Sequence, residues 1–130
     1  MNQNVLIPQI FIRSDVVLYF WFILVAVGLA VIVAAARQQR HDALGRVLVV
    51  GFSFFALTHL LGMQWLLKQW SALAVALKES PGWKIASEAA KAELVNVIDP
   101  PPAAWVLPFH LAFDAFVLLG IWWLTRKRGL

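Results

Sequence analysis

The chain has 130 residues, 62% of them hydrophobic and 14% charged, with a mean hydropathy of +0.76. A soluble domain is about half apolar and about one quarter charged, so this balance points to the membrane class, and the length suits one small unit. The absence of cysteine excludes disulfides, thiolate metal sites and cysteine nucleophiles, and the net charge of +4 does not argue for nucleic acid, because the basic residues cluster at the ends of apolar runs.

The first apolar run covers residues 16–36 and is uncharged. It exceeds the ~7–15 residues of a signal-peptide core. Arg13 before it is balanced by Asp15, and the arginine cluster follows it, so an uncleaved span is expected. Ala26, Ala30 and Ala34 form a stripe that continues outward to Tyr19 and Asp15. Small residues at this spacing let helices approach closely in lipid. That face is expected to point into the bundle, with Tyr19 and Asp15 at its outer rim. The connection over 37–46 holds Arg37, Arg40 and Arg46, with His41 as a solvated loop residue.

The second run covers 47–67, with His59 its only strongly polar group. Its helix is expected to extend to about residue 78. Gly51, Thr58 and Gly62 share one face, a second seam for close packing. Ser80-Pro81-Gly82 breaks the helix, with Ser80 as N-cap and Pro81 in the first turn of the next one. Over 82–98 the apolar residues Trp83, Ala86, Ala90, Leu94 and Val97 recur at three and four, with polar residues between. This pattern predicts an amphipathic helix on the membrane surface or over the mouth of the bundle. Asp99 and three prolines end it. The third run, 103–124, carries His110 and Asp114, with Pro108 near its start.

Each run has about the 20 residues needed to cross ~30 Å of hydrocarbon, and in lipid only a helix satisfies its own backbone. The expected fold is an all-α membrane protein, a single integral membrane domain over 1–130. It has three transmembrane helices and an extracytoplasmic amphipathic helix between the second and third. Arg126, Lys127 and Arg128 fall on the same side as the first connection, while the second connection balances four lysines with four acids. The positive-inside rule then puts the N-terminus outside and the C-terminus in the cytoplasm, most simply in a bacterial inner membrane. Trp21, Trp65, Trp70, Trp105, Trp122 and Trp123 lie near span ends, where interfacial aromatics belong.

Ionisable residues at bilayer depth are costly and mark functional sites. His59 lies eight positions from Leu67 and His110 seven from Ala103, which puts both ~10–12 Å below the same surface. Asp114 is one turn deeper than His110 on the same helix face. One shared site is therefore expected. Two histidines and an aspartate can bind a transition metal. His59 and His110 can serve as axial ligands of haem b. Asp114, His110 and Tyr19 can instead form a proton or quinone site, or the polar groups can simply join helices. No paired carboxylates or serine–histidine arrangement assigns a catalytic residue. The leading reading is an accessory or structural subunit of a larger, energy-transducing membrane complex. It would contact lipids and other membrane subunits or its own copies. The alternatives are a homo-oligomeric proton-coupled transporter or channel, and a small membrane enzyme acting on a lipid or quinone.

Overall fold

The computed structural model describes residues 2–37 and 42–126, excepting the Asp42 side chain. Arg40, His41, Lys127 and Arg128, with the roles the sequence suggests for them, lie outside the described residues. The helices in chain order are α1 (Gln3–Arg37), α2 (Asp42–Glu79), α3 (Pro81–Ile85), α4 (Glu88–Ile98) and α5 (Ala103–Thr125), with no strand among the described residues. Three helical stretches are long and apolar enough to cross a membrane, centred on α1, α2 and α5.

Length alone separates these helices. At 1.5 Å per residue, α1 and α2, with 35 and 38 residues, reach ~52 and ~57 Å, whereas α5, with 23, reaches ~35 Å. Hydrocarbon is ~30 Å thick and the bilayer with its headgroups ~40–45 Å, so α1 and α2 outrun the bilayer and α5 does not. Relative directions follow from side-chain pairs. Trp21 meets His110, Gly28 meets Val117 and Ile32 meets Gly120, so α1 and α5 run the same way. His59 meets His110 and Gly45 meets Thr125, so α2 runs against them.

Each pair of long helices has a glycine where the neighbour comes against the backbone. The Phe113 ring and Val117 of α5 pack on Gly28 of α1, Phe20 of α1 packs on Gly62 of α2, and Thr125 of α5 packs on Gly45 of α2. Close approach matters here because lipid tails are as apolar as the side chains. Association in a bilayer therefore rests on dispersion contacts and hydrogen bonds. The Ala26, Ala30, Ala34 stripe does not form this seam. Ala26 and Ala30 are exposed, and Leu24, Gly28 and Ala35 turn inward instead. Gly51 also stands free, with no atom within 4 Å of a Cβ placed there, and Thr58 is exposed.

The ends of α1 and α2 that outrun α5 build a second core. Leu6 and Ile10 of α1, Trp70, Ala74 and Leu77 of α2, and Ile98 of α4 are buried together, with Trp83 and Leu94 packed against them. The expected single helix over 82–98 is two helices. Ser80 caps α3, with Pro81 in its first turn, and Ser87 caps α4 after the chain extends at Ala86. A Ser side chain accepting a backbone N–H starts a helix, and Ser87 does so in the middle of an unbroken apolar period. Trp70 is buried inside the protein. Its indole N–H donates to the Ile98 carbonyl at 2.7 Å and holds the end of α4. The Lys78 ammonium grips both Asp99 oxygens at 2.7 and 2.8 Å just beyond that point. Pro108 lies in the second turn of α5, early enough that the helix continues through it to Thr125.

Candidate functional site

Three side chains from two helices, and one carbonyl from the third, form a continuous hydrogen-bonded chain. Asp114 Oδ2 bonds His110 Nδ1 at 2.7 Å, His110 Nε2 bonds His59 Nδ1 at 2.9 Å, and His59 Nε2 bonds the Phe20 carbonyl at 2.8 Å. Helix geometry positions each member. His110 and Asp114 are i, i+4 neighbours on α5, so the carboxylate stands one turn along from the ring. The Phe20 carbonyl belongs to α1 and has a second lone pair beyond the one its helix uses. His110 is fully buried, and His59 and Asp114 nearly so. The chain thus ties α5, α2 and α1 together at one level.

The hydrogens can be counted. The Phe20 carbonyl only accepts, so His59 Nε2 carries a hydrogen and donates it. The three bonds hold one hydrogen each, which equals the number on a neutral carboxylic acid and two neutral imidazoles. Wherever each hydrogen lies along its bond, the chain as a whole is uncharged. That neutrality is what permits two imidazoles and a carboxyl group to sit inside an apolar bundle, where an isolated charge costs far more than a hydrogen bond returns.

Set against protein-family models, curated proteins and solved structures, the chain matches none of them. Its reading therefore rests on this geometry.

Aromatic rings enclose the chain. Phe20 and Phe55 lie 5.0 and 5.5 Å from the His59 ring centroid, and Trp21 lies 5.8 Å from that of His110. Trp21 is therefore part of the site. Trp65, Trp105, Trp122 and Trp123 are exposed, as belt residues are. Asp114 Oδ1 is buried with no hydrogen-bond partner. At the other end, His59 lines a groove of about 280 Å³ between α1 and α2, walled by Phe20, Ile23, Phe55, Thr58 and Gly62. The Thr58 hydroxyl is turned back to the Phe54 and Phe55 carbonyls at 3.0 and 2.9 Å.

Of the residues singled out from the sequence, His59, His110 and Asp114 come together and Tyr19 does not. Tyr19 is 67% exposed on the outer face of α1. The three that meet form a line, not a convergent set. His110 has His59 on one ring nitrogen and Asp114 on the other, and no group of three metal-binding side chains is placed to hold an ion among the described residues. A metal at the contact between the rings would displace that hydrogen bond. Asp114 would then support His110 from behind, as outer carboxylates do, and would not be a third ligand. Haem needs its axial histidines on opposite faces of a macrocycle, and rings in direct contact at 2.9 Å leave no space for one.

Proposed function

We propose that the protein is a small integral membrane subunit whose Asp114–His110–His59 chain passes a proton through the bundle on behalf of a larger membrane complex. The observation that carries this reading is the unbroken chain itself, with an unpartnered acceptor, Asp114 Oδ1, at one end and an open, apolar groove at the other. A proton taken up on Asp114 can be relayed by handing on one hydrogen at each bond, so that His59 releases a different one. The Phe20 carbonyl cannot accept it covalently. The acceptor must enter the groove, and a lipid-soluble quinone that the larger complex has reduced to its anion, which unlike the neutral quinone is basic enough to take a proton, is the chemical class that fits its apolar walls. Arg37, Arg46 and Arg126 all stand at the same end of the bundle, which supports a cytoplasmic placement of that end. On that placement α3 and α4 lie outside an inner membrane. Bulky outward side chains such as Phe54, Phe116 and Phe22 offer apolar faces to lipid or to neighbouring subunits.

A second reading, helix glue, is favoured by one observation: the His59 end of the chain is anchored on a backbone carbonyl. Asp114→Asn separates the two. An asparagine amide donates to His110 Nδ1, so every hydrogen bond survives with both rings neutral, but nothing at position 114 takes or releases a proton. The variant is expected to unfold within about 1 kcal/mol of the parent. Exchange of the two imidazole N–H groups with deuterated water, followed by ¹⁵N NMR in lipid, is expected to slow about tenfold or more, the change that ~1.4 kcal/mol of added barrier gives. Unchanged exchange would leave glue as the function.

Gentle solubilisation tests the subunit reading. Native mass measurement is expected to find the chain in a stable hetero-complex. A symmetric homo-oligomer, with proton flux in vesicles that Asp114→Asn abolishes, would instead make it a transporter.

A further inference from the structure

A different cluster lies at the opposite end of α2 from the α3–α4 core. The start of α2 and the end of α5 enclose a groove of about 460 Å³, with Arg46 and Arg126 at its mouth and Val49, Val50 and Trp122 as walls. A second groove, about 430 Å³, begins at the same Arg46 and runs down the other side of Val50, over the exposed backbone of Gly51. Gly51 has no neighbour within 4 Å of a Cβ position, so this notch is open along its length. Neither arginine has a carboxylate partner among the described residues. The Arg126 guanidinium instead stacks on Trp122, 4.9 Å from the ring centroid.

We infer that this end of the α2–α5 seam seats one anionic phospholipid, its phosphate held by Arg46 and Arg126 and its two acyl chains in the grooves flanking Val50. The argument is complementarity in both charge and shape. Two guanidinium groups with no carboxylate partner among the described residues, at the edge of an apolar span, match a phosphate diester, which arginine can grip with two parallel hydrogen bonds. Basic pockets between transmembrane helices take anionic head groups for this reason. Two apolar grooves diverging from one cationic mouth match a head group with two chains. Trp122 holds Arg126 over the groove without neutralising it. This site shares no residue with the Asp114–His110–His59 chain and stands whether or not that chain moves protons.

The test is native mass spectrometry of the full chain in detergent, titrated with phosphatidylglycerol or with phosphatidylcholine. One phosphatidylglycerol is expected to stay bound after collisional release of the detergent, with weaker retention of phosphatidylcholine. Arg46→Gln with Arg126→Gln is expected to weaken phosphatidylglycerol binding about thirtyfold, as the loss of two screened surface charges implies. Val50→Trp, which keeps both arginines and fills the grooves beside it, is expected to lose the retained lipid as well. Lys84→Gln, on α3, is the control and is expected to bind like the parent. Equal retention of both lipids, or equal retention by parent and double variant, would overturn the inference. Displacement of the lipid by inorganic phosphate alone would also overturn it, since the grooves would then be a free-anion site.

Discussion

His59→Ala is expected to destabilise the folded bundle by about 2–4 kcal/mol. His59 is the only member of the chain that hydrogen-bonds to both other long helices, through His110 on α5 and the Phe20 carbonyl on α1. Alanine removes both bonds and leaves the His110 Nε2 nitrogen without a partner in a fully buried position. A buried donor or acceptor left without a partner costs about 1–3 kcal/mol, and a lost interhelical bond in a membrane about 0.6–2 kcal/mol. The Phe20 carbonyl suffers less, because it keeps its own helical hydrogen bond. The space left by the ring opens on the α1–α2 groove, where lipid can fill part of it, so the cavity penalty stays small. Reversible unfolding in mixed micelles reads the effect directly. A variant within about 0.5 kcal/mol of the parent would mean that the ring-to-ring bond contributes nothing, and the proton chain would fall with it. The contrast with Asp114→Asn, which keeps all three bonds, separates loss of the connection from loss of the proton.

The sequence made some of this architecture readable and hid the rest, for identifiable reasons. Uncharged apolar runs of about 20 residues have few alternatives to a spanning helix, so α1, α2 and α5 could be located from composition. Depth was readable too, because rise per residue is fixed, and counting from the span ends put His59 level with His110. Rotation was not. In water a helix declares its inner face by being apolar there. In lipid both faces are apolar, so the alanine stripe of α1 was no guide and Tyr19 turned outward with it. Glycines were better guides in principle, yet Gly28 was passed over and Gly51, on the chosen face of α2, packs against nothing. Two parts of the site leave little trace in sequence. Phe20 contributes a backbone carbonyl, and Trp21 has the residue type of an interfacial belt. Phe55 could have been found, since it precedes His59 by one helical turn.

The glycines supply the second large effect. Gly45→Ala is expected to destabilise by about 1–3 kcal/mol, although alanine is the better helix former. A Cβ at position 45 overlaps the Thr125 hydroxyl and comes within 2.8 Å of the Thr125 Cβ. The hydroxyl is held in place by its own bond to the Ile121 carbonyl at 2.7 Å, and a Cβ cannot rotate away. Relief therefore requires α2 and α5 to move apart at this end, which loosens contacts beyond the one residue. Gly51→Ala, six residues further along the same helix, meets no atom within 4 Å and keeps only the gain in helix propensity, at most ~1 kcal/mol. The two substitutions are chemically identical and are expected to differ in sign. Moving the glycine across the seam tests the cause: Thr125→Gly in the Gly45→Ala background is expected to recover most of the loss. Failure to recover would show that the cost lies in α2 itself. Gly45 lies ~21 Å along the helix from His59, so exchange of the imidazole protons is expected to be unaffected in either variant. A change there would mean that the α2–α5 seam and the hydrogen-bonded chain move as one unit.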